Sequence, residues 1–252
     1  MIELKDITLA FGSRVLMRDA SVRFEAGNMI ALLGRNGTGK STLLRAMAAL
    51  GTAQGGEIRI DGKRLEDITP RDLARKVAFV NTERISVEAL NVHDLVAIGR
   101  SPYTNWMGRL TEGDEEIVER SIATAGIEHL KHRNVETLSD GEAQRVMIAR
   151  ALAQQTDVIL LDEPTSFLDL PNRYELCLLL QRLAHDESKC VIFSTHELDI
   201  ALSLADSIAL VDTPHLVHRT TQEMISSGDI ERLFDSEHIS FDAATHSIRL
   251  HK

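Results

Sequence analysis

The sequence predicts an α/β fold. A mostly parallel sheet lies under helices, an antiparallel β segment precedes it, and a helical insert interrupts it. Three observations carry this. The runs NMIALL (Asn28 to Leu33), VILLD (Val158 to Asp162), VIFS and SIALV are apolar throughout, as strands covered on both faces must be. MIELKDITLAF and ASVRF instead alternate apolar and polar residues, the pattern of antiparallel strands with one wet face. From about Glu83 to Ala153 there are helical patterns and loops without a convincing strand. Strands and helices then alternate again, so the helical stretch reads as an insert in one core rather than a second domain.

Helix starts follow from capping chemistry. In TPRDLARKV, Thr69 is a cap, Pro70 occupies the first turn and Asp72 stands three residues after the cap. TEGDEEIVERSIATAG repeats this with Thr111 and Asp114, and Gly126 ends it. Near the C-terminus, DIERLF reads as a short helix and HSIRL as a strand.

The chain has 252 residues, 43% hydrophobic and 26% charged, enough to bury a core and stay soluble. Its net charge is -10, with no Lys/Arg run, which speaks against a nucleic-acid partner. Cys177 and Cys190 lie in apolar patterns and read as small buried thiols, in keeping with a reducing compartment. The N-terminus shows no signal peptide, and no apolar stretch approaches the ~20 residues of a spanning helix. A role at a membrane would therefore go through a partner.

GRNGTGKST matches G-x-x-x-x-G-K-[ST] from Gly34 to Ser41, with a strand before it and a helix after it. Glycines let backbone N–H groups converge on phosphates. Lys40 supplies positive charge, the Ser41 hydroxyl can bind Mg²⁺, and the following helix adds its positive dipole end. VILLDEP ends a buried strand in Asp162, placed to hold Mg²⁺ through water, with Glu163 next to it to orient or deprotonate a water. LSDGEAQRVMIARAL starts a further amphipathic helix. Ser139 and Glu142 fit a capping box there, and the helix start favours anions.

Together these segments resemble the ATP-binding subunit of an ABC transporter, from about residue 2 to about residue 235. The Walker A loop is Gly34 to Thr42, the signature segment Leu138 to Glu142, and the Walker B strand Val158 to Asp162 with Glu163 after it. SFLDL is similar to the D-loop, with Asp169 in the usual place, and FSTHELD to the switch segment with His196. The resemblance implies a RecA-like P-loop core with an N-terminal antiparallel β subdomain and an α-helical subdomain inserted at about 83–153. The ATPase domain then covers 1–235 and a short C-terminal extension 236–252. It implies ATP on Gly34, Asn36, Gly37, Gly39, Lys40, Ser41 and Thr42, with Phe11 stacked on adenine. Mg²⁺ would be held by Ser41, Asp162 and Thr82, and catalysis carried by Glu163 and His196. Two copies would pack head to tail, so that Ser139 and the N–H of Gly141 serve the nucleotide held by the other copy, with Asp169 also among the nucleotide-binding residues.

Two positions depart from the family pattern. Asp140 stands where glycine is usual, and its side chain is expected to turn aside from the triphosphate. Thr82 stands where a glutamine is usual, with Asn81 as the alternative. DLVAIGRSPYTNWMGRLTEGDEE and LDLPNRYELCLLLQRLA resemble the importers of ferric siderophores, haem and cobalamin. On that reading Tyr103 and Trp106 lie near the groove that receives a membrane subunit; otherwise GRSPYTNW is a surface loop with a half-buried tryptophan. The implied partners are permease subunits, a second copy and, indirectly, a substrate-binding protein, with the chain on the cytoplasmic face of the membrane. The alternatives are an ATPase of another transport branch, a soluble ATPase that remodels nucleic acid or translation complexes, and a module that closes on ATP without useful hydrolysis. The segment after Thr213 lacks the family's usual glycine-bearing hairpin.

Overall fold

The computed structural model describes residues 1–81, 87–235, 239–242, 245 and 247–250. In chain order the strands are β1 (Ile2–Phe11), β2 (Arg14–Phe24), β3 (Asn28–Leu33), β4 (Gly55–Ile60), β5 (Lys63–Arg64), β6 (Val77–Val80), β7 (Val158–Leu161), β8 (Cys190–Thr195), β9 (Ser207–Asp212), β10 (His215–Thr220), β11 (Ile239–Asp242) and β12 (Ser247–Leu250). The helices are α1 (Lys40–Met47), α2 (Pro70–Leu73), α3 (Val92–Ala97), α4 (Glu112–Thr124), α5 (Asp140–Ala153), α6 (Leu170–His185), α7 (Leu198–Leu204), α8 (Thr221–Ser226) and α9 (Asp229–Phe234).

Alternation in the first strands produces an antiparallel sheet in the order β2-β1-β4-β5. Ile2, Leu4, Ile7 and Leu9 of β1 point inward and are buried. The step from Leu4 to Ile7 is three residues, so a bulge at Lys5 and Asp6 returns the apolar residues to the same face. Gly56 makes that bulge possible: a Cβ there would lie 2.3 Å from the Lys5 carbonyl oxygen.

The uniformly apolar strands form a six-stranded sheet in the order β10-β9-β3-β8-β7-β6, parallel except for β10. Their composition follows from burial on both faces. In β3, Ile30 and Leu32 join a core with α1 and the antiparallel sheet, whereas Met29, Ala31 and Leu33 join a second core with α5, α6 and α7. Cys177 and Cys190 are buried, and burial pushes both thiols up to about 12, which leaves them unreactive.

The described part of the helical stretch contains α3, α4 and α5 and no strand, only an isolated bridge between Asn91 and Asn134. Thr111 and Asp114 close a capping box on α4. Asp114 also accepts from Arg100 Nε at 2.8 Å, and both side chains are nearly inaccessible. Arg100 donates as well to the Ala153 carbonyl (2.8 Å) and to Gln155 (2.9 Å), and lies over the Tyr103 ring at 4.0 Å. This buried pair therefore ties the start of α4 to the end of α5. Tyr103 is half-buried, but Trp106 is 93% exposed, so the expectation of a half-buried tryptophan is wrong. Arg71 and Arg75 grip the loop by its Pro102 and Thr104 carbonyls and leave the indole outside.

DIERLF forms α9 as expected, and Ser247–Leu250, the described part of the predicted C-terminal strand, forms β12. After Thr213 a hairpin is present without a glycine: β9 turns into β10 through a cis Thr213–Pro214 bond. Phe241 of β11 is buried in the main core, so β11 packs onto the body.

The Thr111 N–H and hydroxyl hold the Asp114 carboxyl below its usual range, and Arg100 adds to them against the opposing effect of burial. A depressed carboxyl stabilises the fold above its unfolded value of ~3.9, and that contribution is lost as pH falls through the lower folded value. Arg100→Ala is expected to cost about 3–5 kcal/mol in urea unfolding at neutral pH, because it strands a buried carboxylate. Asp114→Asn is expected to flatten the acid limb of the stability profile.

Candidate active site

β3 delivers the chain to the glycine loop, and α1 carries it away. Gly37 (φ 76°) and Gly39 (φ 102°) adopt left-handed backbone that glycine tolerates. Gly34 is required by packing: a Cβ there would lie 2.8 Å from the Val211 carbonyl oxygen of β9. Lys40, only 4% exposed, folds back over the loop and donates to the carbonyls of Gly34 (2.9 Å) and Arg35 (3.2 Å). Burial lowers its pKa, and the carboxylates of Glu163 and Asp162 oppose this.

The acids stand opposite. Asp162 Oδ1 accepts two hydroxyls, Ser41 Oγ at 2.9 Å and Ser194 Oγ at 2.7 Å. The Glu163 N–H donates to Ser194 Oγ at 2.8 Å. Glu163 itself has left-handed backbone, φ 46°, the kind of local strain that clusters at functional sites. Its Oε1 lies 3.9 Å from Lys40 Nζ and 3.6 Å from His196 Nδ1, and Ser166 Oγ donates to its Oε2 at 3.2 Å. A cleft of about 320 Å³ opens here, lined by Phe11, Arg14, Leu16, Gly37, Gly39, Lys40, Ser41, Thr42 and Glu163. Phe11 is 78% exposed at this cleft, and Asn36 is exposed in the loop beside it.

Ser139, Gly141 and Asp169 lie elsewhere. They line a second cleft of about 580 Å³ with Asp140, Glu142, Phe167 and Leu168, and the two clefts share no lining residue. Ser139 caps α5 in a complete capping box with Glu142, whose carboxyl the Ser139 N–H holds below its usual range. Asp169 caps α6, accepting from the Asn172 N–H at 3.2 Å. Asp140 lines the cleft, half-buried and engaged within the chain. Thr82 lies outside the described residues, whereas Asn81 is half-buried just past β6.

Ser194 is the residue that sequence reading missed. Its one signal was a hydroxyl closing an otherwise apolar strand, VIFS, and it is completely buried.

A glycine loop between a buried strand and a helix, faced by an acid-ended neighbouring strand and interrupted by a helical insert, defines an ATP-binding cassette. The chain belongs to the ABC transporter family, whose model matches residues 17–166. It is 34% identical to the petrobactin import ATP-binding protein FpuD of Bacillus anthracis, over 94% of this chain and 87% of that protein. It is 32% identical to the ferric enterobactin transport ATP-binding protein FepC of Escherichia coli, over 91% of this chain and 85% of that protein. Among solved structures it is similar to a metal-chelate type ABC transporter in an inward-facing conformation. The TM-score there is 0.82 at 27% identity, covering 92% of this chain and 88% of that one.

Ser194→Ala removes the donor that holds Asp162 and the acceptor for the Glu163 N–H. ATP turnover is expected to fall about 10- to 100-fold with little change in nucleotide affinity, read from steady-state kinetics and equilibrium binding.

Proposed function

We propose that this chain hydrolyses ATP as a head-to-tail pair and drives import of a metal chelate, a ferric siderophore, haem or cobalamin, through a partner permease. The observation that carries the paired reading is Gly141. Glycine early in a helix costs about 1 kcal/mol relative to alanine. Yet a Cβ at Gly141 would meet nothing in the chain closer than the Leu168 side chain at 3.5 Å, an ordinary contact. The fold does not need glycine there, and a nucleotide on a second copy, approaching closely over the start of α5, supplies a reason for it. The N–H groups and dipole of α5 then favour its γ-phosphate, with the Ser139 hydroxyl as a further donor.

On this reading the phosphates lie on the Gly34–Thr42 loop, and adenine stacks on Phe11, whose ring is otherwise left in water. The Ser41 hydroxyl and Asp162 carboxylate are hard oxygen donors on one side of the cleft, a set that suits Mg²⁺, which when bound neutralises phosphate charge. Glu163 takes the proton of the attacking water, and His196 orients that carboxylate. Lys40, already desolvated, binds the outer phosphates. Thr82, or Asn81 before it, would meet Mg²⁺ and link the site to the membrane subunit. The domain spans 1–235 with its insert at about 83–153, and 236–252 extends it. No helix among the described residues is long and apolar enough to cross a membrane. Attachment to the cytoplasmic face thus falls to the permease, with Trp106 beside its groove and a substrate-binding protein on the far side. The cargo class rests on the similarity to siderophore importers over most of the chain.

Glu163→Gln is expected to lower turnover about 10²- to 10⁴-fold and to accumulate an ATP-bound pair in sedimentation; undiminished turnover would remove Glu163 from its role. Gly141→Ala separates fold from function. It should stabilise the single chain by up to about 1 kcal/mol in urea unfolding and yet depress ATP turnover at least tenfold. Co-purification of the permease in mild detergent, followed by uptake of radiolabelled ferric chelates into vesicles, tests the cargo class.

A further inference from the structure

A further cleft, of about 740 Å³, opens where the two sheets meet, between β2, the end of β9, β10 and α9. It shares no lining residue with either cleft described above. Arg18, His215, Arg219 and Arg232 line it, together with Asp19, Asp212 and Asp229. Arg219 Nε lies 3.3 Å from Asp229 Oδ2, Arg232 Nη2 3.2 Å from Asp229 Oδ1, and Arg232 Nε 3.5 Å from Asp212 Oδ2. The Asp229 and Asp212 side chains are 12% and 33% exposed, those of Arg219 and Arg232 45% and 59%. These two acids thus sit behind the arginines, and a ligand entering from water meets guanidinium before it meets them. The pairing is also incomplete. Asp229 is nine-tenths buried, yet its Oδ2 receives no hydrogen bond, because the Arg219 N–H beside it is not aligned. On the other wall, Arg18 and His215 have no ion-pair partner among the described residues, and Asp19 is the one exposed acid.

We propose that this cleft binds a small, multiply charged oxyanion, a polycarboxylate or a phosphate compound, and that the bound anion tightens nucleotide binding. Guanidinium groups from β2, β10 and α9 offer planar forks that match carboxylate and phosphate oxygens, and the His215 imidazole adds a donor. Such a ligand joins the two sheets, since Arg18 belongs to the antiparallel one and Arg219 to the main one. That junction borders the glycine loop. The Arg18 N–H donates to the Pro214 carbonyl at 2.9 Å, and Thr213 Oγ1 donates to the Thr38 carbonyl at 3.3 Å. Leu16, two residues before Arg18, packs against Gly39. On the reading above, adenine lies on Phe11 of the antiparallel sheet while the phosphates lie on a loop of the main sheet. An anion that pins the sheets together here favours that arrangement, and by reciprocity the nucleotide favours the anion. The coupling rests on that reading; the site itself does not.

The test is calorimetric titration of the full chain with citrate and, separately, with pyrophosphate, in magnesium-free buffer with the glycine loop saturated by ADP. One anion is expected to bind per chain with a Kd below about 1 mM, and the tighter probe assigns carboxylate or phosphate. Arg18→Gln is expected to weaken it at least about tenfold, the loss of a charge-assisted hydrogen bond. The urea unfolding midpoint and the ADP Kd without the anion are expected to stay unchanged in that variant, because Arg18 has no ion pair to lose. Arg219→Gln is expected to weaken the anion likewise. Saturating anion is expected to tighten ADP at least about fivefold. Binding of neither probe, or binding indifferent to Arg18→Gln, overturns the site. Anion that binds but leaves the ADP Kd unchanged, or raises it, overturns the coupling alone. If ADP itself does not bind, the reading of the glycine loop falls, and the anion site is then decided by Arg18→Gln.

Discussion

One carboxylate oxygen organises the site. Asp162 Oδ1 accepts the hydroxyls of Ser41, at the start of α1, and Ser194, near the end of β8. Three elements that are remote in the chain meet at that atom. Ser194 also receives the Glu163 N–H, so the same contact sets the backbone from which the Glu163 side chain departs. The buried parallel strands exist, in functional terms, to bring these ends level. Their apolar faces feed two cores, one on each side of the sheet, and that double burial leaves the strand ends little freedom to drift.

The second constraint is separation. The loop that can cradle phosphates and the helix start that can receive them belong to different clefts with no residue in common. A single copy therefore holds, on the proposed reading, two halves of different sites. On the proposed reading, ATP becomes the contact that joins copies, and the free energy of binding appears as closure. Gly141 fits that reading, because it withholds a side chain that the fold would accept.

Much of the fold was legible because its signals are local. Period-two alternation marked β1 and β2, unbroken apolar runs marked β3, β7, β8 and β9, and cap residues marked the starts of α2 and α4. Other features were not. The helix begun at Thr69 ends at Leu73, because the chain must enter β6 at Val77. Trp106 was read as lying near a groove or as half-buried in a surface loop, and two arginines holding that loop by carbonyls leave it in water. Strands β4, β5 and β10 carry charged residues and short runs, and they are strands because a neighbour offers them an edge.

The sequence by itself determined the class of fold, the phosphate loop, the acids opposite it and the order of the motifs, since each depends on spacing within a few residues. Tertiary structure alone decided which of those motifs share a cleft, that Ser194 completes the acid site, and that Phe167 stands in solvent. The physical reason is distance along the chain. Ser41 and Asp162 are 121 positions apart, and no local propensity encodes a contact that only the packing of two cores against one sheet can close.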